Sequence, residues 1–277
     1  LSRMVYRIEG QDLQMLNWGS SDAIPLTLSF HVRSNLTGTY GMEFRCNDGG
    51  LSTNTQTYTI SSANTWEKKI LLLPANTSAS IDNDNSNGFE IGWCLSAGTN
   101  FTTGTQQSGY VNSPTTANRF AGHNVNHSNS TSNEWYITGV QLEVGRQATP
   151  FEYRSFGDEQ TLCQRYYYRH KSDGASQNML GVGVVDSSST AFMQIVPPVS
   201  MRDQPSSMET TGTASNYEVR EGSGNDIVCN AVPTLSGDST NNVFNVNFAT
   251  AGSLNARSAC MGKAMADEVH LSFTSEL

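Results

Sequence analysis

Apolar and polar residues alternate at period two along this chain, and Asn, Asp, Gly and Ser clusters interrupt them every few residues. That pattern constrains the fold more than any motif does. Leu26–Val32, Gly38–Phe44, Thr57–Ile60, Lys69–Leu72, Phe89–Trp93 and Trp135–Leu142 read as strands. Clusters such as Ile81–Gly88 read as loops, because Asn, Asp and Ser bond to their own backbone and tolerate left-handed conformations. The second half repeats the pattern with Tyr166–Tyr168, Leu180–Val184, Ala191–Ile195, Tyr217–Arg220, Ile227–Val228, Val243–Phe248 and Glu268–Phe273. Many short strands at regular spacing predict an antiparallel sandwich or barrel, not alternating β and α units. The fold class is therefore all-β. A boundary after Phe151–Arg154 gives two domains, 1–155 and 156–277, joined by a short linker and helix. Asp158 reads as the N-cap of that helix, running Glu159–Arg165. Residues 101–133 hold almost no aliphatic side chains and read as a surface excursion, with an edge strand near Gln107–Val111.

The 277 residues suffice for two domains of ordinary size. Charged residues are only 15%, so the surface is made polar by Ser, Thr and Asn rather than by charge. Aromatics at 9% and a net charge of −9 argue against disorder. The longest apolar run, Ile70–Leu73, ends at Pro74 and is far short of a membrane helix. A pI near 5.0 leaves no basic footprint for nucleic acid. Five cysteines without CxxC spacing give neither a disulfide scaffold nor a zinc site, and free buried thiols are expected. Cys46–Cys94 is the one pairing compatible with two strands of one domain. The five sequons, at Asn35, Asn76, Asn100, Asn126 and Asn129, match what an Asn-, Ser- and Thr-rich chain produces by chance.

No catalytic motif stands out. Gly181-Val182-Gly183 reads as close backbone approach within a sheet. His123 and His127 stand four apart, but in an Asn/Ser-rich loop rather than on a helix. Exposed polar side chains are the plain expectation, a sugar contact the functional one, and a metal pair the weakest. The run Asp82–Gly88 has half the composition of a calcium loop but lacks a closing carboxylate, so it reads as a turn. Neither a cofactor nor a metal is expected. Trp93 and Trp135 alternate with core residues and read as structural. Trp66, opening a strand, and Tyr110, in the polar excursion, are the candidate exposed platforms for stacking on sugar rings. Asn112, His123 and His127 are the accompanying candidate hydrogen-bonding residues. Glu43, Glu90, Glu134, Glu143 and Glu152 are the available strand and loop carboxylates, and the strand assignment brings no pair of them together for hydrolysis.

Two stretches carry a family resemblance. The first comprises Tyr6–Leu13, Trp18-Gly19, Leu26–Ser34, Gly38–Tyr40 and Thr65–Lys69. It resembles the jelly-roll domains, related to carbohydrate-binding modules, of fibre and appendage proteins in tailed bacteriophages, notably marine ones. The second comprises Trp135–Gly145, Ala148–Ser155 and Leu162–Tyr167. It resembles the run that closes such a domain and leads into a C-terminal β domain. In that run Ile137, Gly139, Gln141 and Glu143 are expected on one face, with Tyr136, Thr138, Val140, Leu142 and Val144 on the other. The closing residues Leu271–Leu277 are also similar to the ends of these proteins. The resemblance implies two jelly-roll-like β-sandwiches, with sequence before Leu1 or a neighbouring chain completing the first.

The function so implied is that of a virion appendage, a tail-fibre or tail-tip structural protein without enzymatic activity. It would adhere to a host cell-surface polysaccharide through Trp66, Tyr110, Asn112, His123 and His127. Such fibres are usually homotrimers on the particle surface. Contacts with other virion proteins are expected through sequence preceding Leu1, and none with nucleic acid or within a membrane. The alternatives are a head fibre or capsid-decorating protein and, more remotely, a glycan-degrading enzyme.

Overall fold

A computed structural model describes residues 1–112, 114–173 and 178–276. Leu277, last of the closing run, lies outside them. The chain is all-β and divides into two compact units, Leu1–Tyr153 and Arg154–Glu276.

The first unit contains β1 (Ser2–Glu9), β2 (Leu26–Ser34), β3 (Gly38–Cys46), β4 (Ser52–Ile60), β5 (Glu67–Leu73), β6 (Asn87–Ser96), β7 (Val111–Asn112) and β8 (Trp135–Val144). A four-residue helix α1 (Thr99–Thr102) follows β6. The strands form two antiparallel sheets, ordered β1-β6-β3-β4-β7 and β5-β2-β8. Alternation works as period two demands. Leu26, Leu28, Phe30 and Val32 of one sheet face Met42, Phe44, Ile91 and Trp93 of the other, all nearly inaccessible. Phe30 sets its ring edge against Trp93 at 6.0 Å and Tyr58 at 5.2 Å. Each such buried side chain contributes about 1.5–3 kcal/mol of transfer free energy.

The second unit opens with α2 (Phe156–Gln164). Its strands are β9 (Tyr167–Lys171), β10 (Asn178–Ser187), β11 (Thr190–Ile195), β12 (Ser207–Thr210), β13 (Tyr217–Glu221), β14 (Asp226–Val228), β15 (Thr234–Leu235), β16 (Phe244–Ala249), β17 (Ala259–Ala264) and β18 (His270–Thr274). Their two sheets run β14-β13-β17-β10-β11-β16-β15 and β12-β18-β9. Phe244 meets Phe273 across them at 4.3 Å. Helix α2 begins earlier than the sequence suggests. Ser155, not Asp158, caps it, its Oγ accepting the Asp158 N–H at 3.2 Å.

All five cysteines are free, as expected, and Cys163 alone among them is exposed rather than buried. Cys46 shares the core-facing phase of Met42 and Phe44, whereas Cys94 follows Trp93 and takes the opposite face of the same sheet. No disulfide can join them. Burial pushes the Cys46 and Cys94 thiols up to about 11 and about 12, and those of Cys229 and Cys260 to about 12 and about 11. A thiol reagent applied to the native chain should therefore modify exposed Cys163 quickly and the other four only on unfolding. Equal rates at all five would contradict the burial.

The faces of β8 differ from those expected. Ser29 pairs with Gln141 but His31 with Thr138, so two residues of β8 oppose Phe30 alone. This bulge, with Gly139 at φ 58°, switches the phase within the strand. Trp135 and Ile137 pack inward before it, Leu142 after it, and Val140 is 40% exposed.

The segment expected to be a surface excursion is also packed differently. Phe120, Ala121, His123 and Val125 are buried, so the excursion is a packed cover rather than a solvated loop. A Cβ on Gly41 would come within 3.0 Å of Phe120 and 3.3 Å of His123, which places this segment directly over β3. Its edge strand is β7, pairing Val111 and Asn112 with Thr53 and Ser52.

Two carboxylates do converge, against expectation. Glu43 and Glu90 lie on neighbouring strands and share the Arg3 guanidinium, at 3.2 and 2.6 Å. Arg119, from the cover, grips Glu43 through Nε and Nη2, both at 2.7 Å. Glu43 is 1% exposed, so this is a neutralised structural network and not an open acid pair.

Candidate functional site

The first unit carries a groove on one flank of its sandwich, where the two sheets come edge to edge. β7 pairs with β4 only at Ser52 and Thr53, so from Thr55 onward that side of β4 lacks a strand partner. β5 is the edge of the other sheet, and Pro74 ends it. Between these edges lies a cleft of about 580 Å³, lined from β4, the β5 end, loop residues 106–108, Pro25 and Arg146. That volume falls in the usual range for small-molecule clefts, about 300–1,000 Å³.

The polar wall is preorganised by its own hydrogen bonds. Gln56 Nε2 donates to the Leu72 carbonyl at 2.8 Å and to Asn54 Oδ1 at 3.0 Å, linking the two sheet edges. Gln106 Nε2 donates to Thr57 Oγ1 at 2.9 Å, and the Gln107 N–H donates to Thr55 Oγ1 at 3.2 Å. Asn54 Nδ2 reaches the Gln107 carbonyl at 2.8 Å, which fixes the loop against the strand. Pro25, Leu72, Pro74 and Ala75 supply an aliphatic strip. Leu72 is 44% exposed. Amide and hydroxyl groups beside an aliphatic strip suit a ligand with hydroxyl edges and C–H faces. The polar side chains of the lining are the hydroxyls of Thr55, Thr57 and Ser108, the amides of Gln56, Gln106 and Gln107, and the Arg146 guanidinium.

The residues singled out from sequence are not in this groove. Tyr110 is no exposed platform: its ring packs against Trp18 at 5.1 Å and its hydroxyl is shut off from solvent. Burial raises that phenol well above its ordinary value. The polar sequence around Tyr110 concealed this, because β7 carries the segment back onto the core. His123 is buried too, its Nδ1 accepting the Gly41 N–H at 3.1 Å. That donor has no ladder partner on its β6 side, since pairing with β6 starts at Met42. His127 is half-buried, with Nε2 3.0 Å from Tyr40 Oη. The two histidines therefore border Tyr40 instead of forming exposed filler. Trp66 and Asn112 are exposed, and Ser78 Oγ donates weakly to Asn112 Oδ1 at 3.4 Å.

Burial holds His123, His127 and His170 below the ordinary imidazole value. Their unfolded forms bind protons first on acidification. The stability they confer is complete above about pH 6.5 and is lost as pH falls through that value toward their lower folded pKa values. Denaturant midpoints should drop between pH 7 and pH 5, and His123→Asn should flatten that slope. A midpoint independent of pH over this window would contradict it.

Sequence reasoning missed the groove because it is assembled from five separated stretches of ordinary residues. The Gln106-Gln107 pair and the prolines at 25 and 74 are its only local signals. No protein-family model matches the chain, and no curated protein matches it. Among the described residues, no helix is long and apolar enough to cross a membrane.

Proposed function

We propose that this chain is the host-contacting part of a virion appendage, and that its first unit holds a surface glycan in the flank groove. The observation that carries the reading is the groove wall: Thr55, Gln56, Thr57, Gln106 and Gln107 tied in place beside the Pro25, Leu72 and Pro74 strip. Preset hydrogen-bonding groups lower the ordering cost of a weak ligand. The resemblance to phage fibre proteins supplies the setting, at the particle surface and as a homotrimer. Three weak sites around one axis gain avidity without any new contact.

The test is adsorption of the purified chain to host cells. Ala75→Trp, which fills the groove, should abolish adsorption, and Trp66→Ala should leave it intact. Adsorption unchanged by Ala75→Trp, in a variant of normal thermal stability, overturns the site. A monodisperse monomer at micromolar concentration overturns the trimeric arrangement.

A further inference from the structure

The groove has one charged residue, and its sign runs against the chain. The protein has 25 acidic and 16 basic residues, yet among the described residues the only charge lining the groove is the guanidinium of Arg146. Most other arginines of the first unit are engaged. Arg3 and Arg119 hold Glu43, Arg7 reaches Glu90 at 3.3 Å, and Arg33 stacks over Tyr136 at 5.7 Å. Arg146 is exposed and, among the described residues, has neither an ion pair nor an aromatic partner. The nearest carboxylate in sequence is Glu143. It is occupied by Thr149, whose N–H lies 3.1 Å and whose hydroxyl lies 2.5 Å from its oxygens. The Gly145 N–H donates to the Pro25 carbonyl at 2.8 Å, which anchors the segment carrying Arg146 beside a groove-lining residue.

We infer that the groove selects acidic glycans, with Arg146 receiving the carboxylate of a uronic-acid residue while the amides and hydroxyls hold the sugar ring. This rests on the glycan reading above and adds the class of sugar to it. A guanidinium presents two parallel N–H donors that match a carboxylate in a bidentate fork. A partly enclosed groove with no competing carboxylate keeps such a pair stronger than it would be on open surface. Within the groove lining, this guanidinium is the group that an acidic sugar would meet as its counter-charge.

The test is isothermal titration of the full chain with a panel of tetrasaccharides. Each is supplied as the uronate, as its carboxyl-reduced neutral counterpart, and as a sulfate ester of that counterpart. At low salt the uronate should bind about tenfold more tightly than the neutral form, and the gap should narrow as salt is raised. Arg146→Gln should erase the gap, weakening the uronate about tenfold more than it weakens the neutral form. Arg146→Lys should restore part of it, since a point charge lacks the fork. Equal affinity for uronate and neutral forms, or a gap untouched by Arg146→Gln, overturns the acidic selection while the glycan reading stands. Tighter binding of the sulfate ester than of the uronate overturns the carboxylate assignment. Binding of no member of the panel overturns the glycan reading itself.

Discussion

Replacing Glu43 by alanine should cost the first unit about 3–5 kcal/mol, the usual price of breaking a buried ion pair from one side. Glu43 is the shared acceptor for Arg3 of β1 and Arg119 of the cover, and all three side chains are largely withdrawn from water. Without the carboxylate, two guanidinium groups remain partly buried, and only Glu90 is left to offset Arg3. The loss is larger than for an exposed pair such as Arg154–Glu159 in the second unit, where water screens both charges. Hydrogen exchange should localise the effect, with protection falling first in residues 99–125 and in β1. An unfolding midpoint within experimental error of the parent would show that the network contributes no net stability.

Tyr110→Ala should destabilise the same unit by about 2–3 kcal/mol, because it removes an aromatic ring packed on Trp18 and leaves a cavity. Tyr110→Phe should be neutral or stabilising. The hydroxyl has no hydrogen-bond partner among the described residues, so deleting it removes a desolvation cost and no bond. Trp66→Ala, at an exposed position, should shift stability by less than about 0.5 kcal/mol. Thermal or denaturant unfolding of the three variants separates these outcomes. A Tyr110→Ala protein as stable as the parent would return Tyr110 to the surface and to the list of ligand contacts.

The strands that could be read from sequence are those whose β-branched and aromatic residues alternate, such as Leu26–Val32 and Val243–Phe248. β17 carries no such signal. Its residues Ala259-Cys260-Met261-Gly262-Lys263-Ala264 have neither aromatic nor β-branched members, yet the strand sits between β13 and β10 in the larger sheet. Its small residues answer a tertiary demand: a Cβ on Gly262 would come within 2.9 Å of the Phe248 ring. Lys263 is tolerated there because Glu218, opposite it on β13, takes its ammonium at 2.8 Å. Neither fact has a local signal.

The phase of β8 was hidden for a related reason. A bulge adds one residue without changing composition, so Gly139 in sequence looks like any strand glycine. The cover segment misled in the opposite direction. Its average polarity announces a loop, while the few residues that matter, Arg119, Phe120, His123 and Val125, are each anchored by partners far away in sequence. Asn76 makes the same point for the sequons. It is fully buried, donating to Ser52 Oγ and accepting from the Ser78 and Ala79 N–H groups, so it acts as a turn brace rather than a glycan acceptor. The flank groove is the extreme case, since it exists only where the β4 and β5 edges meet.

The most direct measurement is amide NMR of the full chain titrated with purified host surface polysaccharide fragments. Chemical-shift changes should concentrate at residues 55–57, 72, 73, 75, 106–108 and 146. Changes centred on Trp66 or Asn112 with these residues silent would contradict it, as would a spectrum unchanged at saturating fragment.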